Sequence, residues 1–307
     1  MGDINWGVVT WLLDKSVQYL KPLIGRGALP RDEWVPRLNE LFRNEVELFG
    51  PYRHEPVIHL DGPLSLNFAQ GGSAAKERSQ LAIDPNKSND PHAVLSSEPI
   101  WTDDPVHFHA QFCDYATVRV LRNESLSTNP RPPVLSANIL MICRETREII
   151  LHRRAPWSDH LPNYLHTLGG AYWPPHVDNR EGDRLSLRRT AIREVGEESD
   201  AAFPLVESTM VLFREPATGF VQLAFLGVNI SAKELRNLKP NREGTLDHVR
   251  YDELPRRLRQ ERYWYPSGKA AILAWLALGA PNGGWLVKFG GIKPTKLFIQ
   301  EVGAIGV

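Results

Sequence analysis

Apolar residues recur three and four positions apart at the start of the chain. Trp6, Val9, Leu13, Val17 and Leu20 mark one face of a predicted helix. Gly25–Pro30 breaks that pattern, and Trp34, Leu38, Leu41 and Phe42 predict a second helix running from about Arg31 to Phe49, ahead of Gly50-Pro51. Residues 70–99 are rich in Ser, Asn, Ala, Pro and Gly and hold few large apolar side chains, which predicts a long loop. Strand-like alternation begins near Val106 with His107-Phe108-His109, and Tyr115–Arg122 alternates more clearly, predicting another strand. Asn129-Pro130-Arg131-Pro132-Pro133 then looks like a linker and places a domain boundary near residue 130.

Beyond it, Leu135–Arg144 is an apolar run suited to a buried strand, Glu145–Arg147 a turn, and Glu148–Arg154 a second strand. A Gly-Gly pair, Gly169-Gly170, precedes a segment expected to be helical through Glu198. Val206–Phe213 and Phe220–Ile230 read as strands around a turn at Pro216–Gly219, and a helix is expected over Ser267–Leu278 before Gly279. Trp285–Val307 is expected to add strands. The division expected is an N-terminal α+β region (1–130), a second domain (131–282) and a tail (283–307).

Composition narrows the class. Of 307 residues, 42% are apolar and 23% charged, which is the balance of an ordinary globular protein. Lys plus Arg equals Asp plus Glu at 36 each, so no electrostatic footprint for nucleic acid exists and none is expected as a partner. The two cysteines, Cys113 and Cys143, together with the lack of a leader-like N-terminus, point to a reduced, cytoplasmic setting. Trp6–Ile24 is interrupted by Asp14, Lys15 and Gln18 and is too polar to span a bilayer. A helix packed on the domain is its plainer reading, and a partner-binding helix presenting Trp6 and Trp11 its rival.

The chemistry concentrates in Arg193-Glu194-Val195-Gly196-Glu197-Glu198. On a helix, Glu194, Glu197 and Glu198 fall on neighbouring positions three and four apart. Such a carboxylate set is either a solvated face or a seat for a hard, oxygen-seeking cation such as Mg²⁺. With Gly169-Gly170 and Thr190-Ala191-Ile192 upstream, the segment resembles the box of the Nudix hydrolases, G-x5-E-x7-R-E-U-x-E-E-x-G-U with U aliphatic. Arg193, Glu194, Val195, Glu197 and Glu198 match its second half without a gap. The first half departs: Leu185 stands where the family has its first Glu, and the stretch from Gly170 to Arg193 is about nine residues too long, implying an insertion within Ala171–Arg184. After the double Glu, Asp200 replaces Gly and Ala201 an aliphatic residue.

The resemblance covers roughly residues 133–280 and implies an α/β/α sandwich around a mixed sheet. It implies a Mg²⁺- or Mn²⁺-dependent hydrolase that cleaves a diphosphate bond in a nucleoside diphosphate linked to another group. Glu194 and Glu198 become the metal ligands, Glu197 a third ligand or a participant in water activation, and Gly170 a backbone carbonyl ligand. Arg193 holds the loop or the carboxylate face, and Glu243, ten positions before Glu253-Leu254, is the candidate for a further catalytic acid or base. Arg153 and Arg154, at the end of a strand, are candidates to face the diphosphate, although in a strand only one of them can. Tyr172 and Trp173 could stack a base or pack the insertion. The insertion, through Tyr172, Trp173 and His176, is expected to govern substrate choice. A homodimer is among the expected arrangements. The alternatives are a Nudix-fold module that binds a nucleotide-like ligand without cleaving it, which the Leu185 replacement favours, and a scaffold acting through its N-terminal helices. His107 and His109 alternate on a strand and could bind metal on one face, but no Cys or carboxylate completes a zinc spacing.

Overall fold

The computed structural model describes residues 28–85, 87–122, 132–159, 161–174, 185–199, 208–216, 218–284 and 287–303. The helix expected over residues 6–24, the linker at 129–131, most of the insertion, Asp200 and Ala201 lie outside them.

The chain order is α1 (Arg31–Leu41), β1 (Glu47–Tyr52), β2 (Val57–Pro63), α2 (Phe68–Leu81), β3 (Pro91–Leu95), β4 (His107–Asp114), α3 (Tyr115–Arg122), β5 (Val134–Cys143) and β6 (Glu148–Arg154). It continues through β7 (Leu165–His166), β8 (Leu168–Ala171), α4 (Leu187–Ser199), β9 (Thr209–Glu215), β10 (Phe220–Asn229), α5 (Ala232–Asn237), β11 (Gly244–Arg250), α6 (Leu254–Gln260), α7 (Pro266–Ala277) and α8 (Pro294–Gly303). Among the described residues the strands join one mixed sheet with a main order β1-β9-β10-β5-β3-β4-β2, while β6 and β8 also pair with β5 and β11 pairs with β6. The longest pairing is parallel, β10 with β5, from Phe220↔Val134 to Asn229↔Ile142.

Every residue of β5 is buried, as expected for a strand covered on both faces. Leu135, Ala137, Ile139 and Met141 pack with Leu187, Ala191 and Val195 of α4. Leu140 and Ile142 point the other way, into a core with Trp34 and Leu38 of α1 and Leu273, Trp275 and Leu276 of α7. Helix α7 is apolar on all sides and buried from Ala270 to Ala277, the pattern of a helix enclosed by its surroundings. The result is the expected α/β architecture, a curled mixed sheet with helices on both faces. No helix among the described residues is long and apolar enough to cross a membrane.

Four local expectations are corrected. Residues 70–99 are not one long loop but hold most of α2 and all of β3. Helix α2 buries only Ala74 and Leu81, so it lacks the apolar stripe that announces a helix. A reciprocal cap between Asn67 and Gln70 starts it, and the Arg78–Asp114 and Arg119–Glu77 ion pairs tie it to the end of β4 and to α3. Tyr115–Arg122 is a helix, not a strand. Its β-branched Thr117, Val118 and Val120 mimic strand composition, but Asp114 accepts from the Thr117 N–H at 3.0 Å and sets a helix start. The second N-terminal helix stops at Leu41, and Glu47–Tyr52 becomes a strand against β9. The tail forms helix α8 over Pro294–Gly303, with Leu297 and Phe298 buried.

Candidate active site

Strand β6 alternates its side chains between the two faces of the sheet. Ile150 packs on the α4 side, and Ile149 and Leu151 on the α7 side. That parity sends His152 toward α4. Its Nδ1 lies 2.9 Å from Glu198 Oε1, and both side chains are 3% exposed. Glu198 Oε2 accepts a second hydrogen bond, at 2.8 Å, from the Gly169 N–H.

Glu194 lies one turn earlier on the same face of α4 and is buried. A Cβ placed on Gly170 would meet Glu194 Oε2 at 2.2 Å, so the carboxylate rests directly on the glycine backbone. A Cβ on Gly169 would meet the Ala137 carbonyl oxygen at 2.2 Å. Both glycines are therefore required by close approach, one to a carboxylate and one to a neighbouring strand.

Arg193 braces this junction. Its Nη1 is 2.8 Å from Glu194 Oε1 and 3.0 Å from Glu197 Oε2, while Nη2 donates to the Ala171 carbonyl at 2.6 Å. The guanidinium stacks on Trp173, 3.9 Å from the ring centroid. One cation thus ties the loop after Gly170 to the carboxylate face of α4.

A cavity of about 240 Å³ opens here. Glu194, Glu198, Glu243, Gly169, Gly170, His152 and Arg154 line one end. Burial pushes the Glu194 carboxyl well above its ordinary range; Arg193 opposes the shift, and the charges of Glu198, Glu197 and Glu243 add to it. Burial also raises Glu243, helped by the charge of Glu198. For His152, burial disfavours the charged ring, but the Glu198 charge and hydrogen bond outweigh it and the net shift is upward. His166, beside Tyr265 with ring centroids 4.2 Å apart, is pushed well below its ordinary value by burial and by the nearby charges of Arg154 and His152.

The rest of the cavity has a different make-up. Ser136, Gln222, Phe220 and Tyr265 come from the second part of the chain, and Asp90, His92, Tyr115 and Arg122 from the first 130 residues. Tyr115 donates to Asp159 at 2.5 Å, and Lys87 pairs with the same carboxylate, closing the rim. Behind Gln222 lies a buried polar chain. Asn138 donates to Gln222 Oε1 at 2.6 Å, Gln222 donates to Glu215 at 2.6 Å, and Thr218 donates to Glu215 at 2.5 Å. Burial raises the Glu215 pKa to about 7, against bonds that favour its charge.

Five of the residues singled out from sequence therefore meet at one cavity: Glu194, Glu198, Glu243, Gly170 and Arg154. Arg193 stands behind them. Four do not line it. Glu197 is 40% exposed and pairs with Arg193, because its position on α4 is rotated away from the line joining Glu194 and Glu198. Arg153 faces the opposite side of β6 from Arg154, bonded to Asp247 at 3.0 Å and Glu261 at 2.7 Å. Tyr172 is fully buried and its hydroxyl accepts from the Leu185 N–H at 3.1 Å, so it packs the loop instead of meeting solvent. Trp173 is occupied by Arg193. Sequence reasoning missed His152, although its place two residues before Arg154 on a predicted strand was a usable signal. It also missed Asp90, His92, Tyr115 and Arg122, for which no local pattern exists.

Among the described residues, no group of three or more His, Cys, Asp or Glu side chains stands arranged to hold a metal ion. The donor types nevertheless suit a hard cation: three carboxylates and a backbone carbonyl, two of the carboxylates with proton affinity raised by burial and mutual repulsion.

No family model matches the chain, and no curated protein does either. Solved structures with a similar course of chain are Nudix and MutT proteins. A MutT protein from Methanosarcina mazei Go1 is 18% identical, with a TM-score of 0.34 over 44% of this chain and 89% of that one. A NUDIX hydrolase from Alicyclobacillus acidocaldarius is 14% identical, with a TM-score of 0.31 over 41% of this chain and 83% of that one. An Ap4A hydrolase from C. elegans, solved as a binary complex, is 12% identical, with a TM-score of 0.30 over 47% of this chain and 97% of that one. Likenesses of this size carry no argument, and what this chain does is argued from its own residues.

Proposed function

We propose that the chain is a divalent-metal-dependent hydrolase that cleaves a diphosphate bond in a nucleotide-like substrate of the nucleoside diphosphate-X type, with Mg²⁺ or Mn²⁺ as the ion. The observation that carries this is the meeting of Glu194, Glu198 and Glu243 with Gly170 and Arg154 at one cavity. Three carboxylates gathered there, two of them (Glu194 and Glu243) with proton affinity raised by burial and neighbouring negative charge, repel one another, and a bound ion relieves that repulsion.

Glu194, Glu198 and the Gly170 carbonyl would hold the ion, with Glu243 beside them. When bound, the ion would neutralise diphosphate charge and help activate a water. The chain's own residues do the remaining work. Arg193 fixes the loop carrying Gly170 against α4, and His152 holds Glu198 in one orientation by donating from Nδ1. Arg154 offers a positive charge to the diphosphate. Glu243, whose proton affinity is raised, accepts a proton from the attacking water. Glu197 acts through Arg193, and not as a ligand in this arrangement.

A second reading keeps the binding and drops the cleavage. It is favoured by Glu198, both of whose oxygens already bond to the protein. A phosphate-release screen over a diphosphate library, with Mg²⁺ and with Mn²⁺, separates the two. Turnover that Glu198→Gln lowers about a thousandfold, roughly 4 kcal/mol of transition-state stabilisation, supports the enzyme. Saturable binding without turnover supports the module, and turnover unchanged by Glu198→Gln removes the site assignment.

A further inference from the structure

Strands β2 and β4 run parallel at the end of the sheet, with His59 opposite His109. His107 and His109, two apart on β4, are exposed on the face that His59 shares, and Asp61 follows His59 by two on β2. Three imidazoles and a carboxylate therefore gather on one open patch, away from the cavity. His59 lies between the other two rings, its centroid 5.2 Å from that of His107 and 4.8 Å from that of His109. His59 Nε2 is 2.9 Å from His107 Nδ1. His109 Nδ1 is 3.4 Å from Asp61 Oδ1, and Ser96 donates to the other Asp61 oxygen at 2.7 Å.

We propose that His59, His107 and His109 form a surface site for an imidazole-seeking transition-metal ion, Zn²⁺ foremost, with Asp61 orienting His109 from behind. The backbone already sets the spacing. A tetrahedral ion with bonds of about 2.0–2.1 Å to imidazole nitrogen keeps two ring centroids about 5 Å apart, which is the separation of His59 from each of the other two rings. As they stand, the rings are stacked instead of aimed at one point, and the described residues hold no ready-made metal cluster. Conversion needs rotation of exposed side chains about χ1 and χ2, without movement of the strands. Asp61, held by Ser96, fixes Nδ1 of His109 as the nitrogen facing the carboxylate and leaves Nε2 for the ion, the usual carboxylate–histidine–metal relay. An all-oxygen Mg²⁺ site and this imidazole site select different ions, so both can be filled at once.

The test uses the full chain without a histidine tag, stripped with chelator and held in excess Mg²⁺ to saturate oxygen ligands. Zn²⁺ is titrated by calorimetry, and imidazole resonances are followed by NMR. The expected result is one Zn²⁺ per chain, with shifts confined to the three rings. Affinity should fall at least about tenfold in His59→Ala and in His109→Ala, and by a smaller factor in Asp61→Asn. It should be unchanged in Glu194→Gln and in Cys113→Ser. No Zn²⁺ binding to the parent, or binding unaltered by both histidine variants, overturns the site. Thermal melts of the His59, His109 and Asp61 variants, all at exposed positions, show that any loss belongs to the ligands and not to unfolding.

Discussion

Glu215 offers a direct measure of how the floor of the cavity is held. It is 1% exposed and accepts from Gln222 and Thr218. Its ordinary value of 4.5 is raised to about 7 by burial. The folded chain therefore holds a proton that the unfolded chain releases between those two values. Folded-state proton affinity above the unfolded one means that stability is greatest below pH 4.5 and is lost as pH rises through about 7. A gap of some 2.5 units corresponds to about 3 kcal/mol. Glu215→Gln removes the charge and keeps the shape. The new amide oxygen still accepts from Gln222, and its NH₂ finds the Thr218 oxygen. The variant should therefore equal the parent near pH 4.5 and exceed it by up to about 3 kcal/mol near pH 8. Urea unfolding of both proteins at pH 5, 6, 7 and 8 gives the difference directly. Glu194, Glu197 and Glu243 are raised too, but they are common to both proteins and cancel. A difference that is constant across this range, or that grows toward acid, would refute the reasoning.

Three further outcomes are expected. Mn²⁺ should bind the parent at millimolar levels without substrate, seen as enhanced water relaxation, and this should vanish in a Glu194→Gln/Glu198→Gln double variant. Trp173→Ala should lower kcat several-fold with KM little changed, because Trp173 supports Arg193 and not the substrate; a rise in KM alone would return Trp173 to the substrate pocket. Tyr115→Ala should raise KM several-fold for a full nucleotide-like substrate and leave a truncated diphosphate unaffected, which steady-state kinetics on the two will show.

The elements that line the proposed site were legible because each has a strong local signal. Val134–Cys143 is a mostly apolar run, Glu148–Arg154 ends in charge, and the helix over residues 187–199 carries Glu194 and Glu198 at a spacing of four. Glu194, Glu198 and Glu243 were found together, although Glu243 comes to the cavity only through β11 pairing with β6. Helix α2 is made of small residues, so its cap and not periodicity decides the structure. Helix α3 does space Tyr115, Arg119 and Arg122 along one helical side, and its β-branched Thr117, Val118 and Val120 masked that signal. Which of Arg153 and Arg154 faces the cavity depends on strand parity, which the pairing with β11 settles and the sequence leaves open. The grouping of His59 with His107 and His109 depends on a parallel register between segments about fifty residues apart, which no local pattern encodes.

The pairing of β1 with β9 and of β3 with β5 has a consequence for how such a chain can be divided. The early segment grips the later one from both sides of the sheet and also supplies Trp34 and Leu38 to the core beneath α7. Trimming the chain back to residue 131 would uncover β9, leaving an open, apolar edge of the kind that recruits other chains, while β5 would lose its β3 contact at Val134 and keep β8 and β6. It would also leave the tyrosine and histidine wall of the cavity missing. The same interleaving ties contacts far apart in sequence together, so β9 has β1 waiting as soon as it emerges, and in the fragment β9 would have β10 alone.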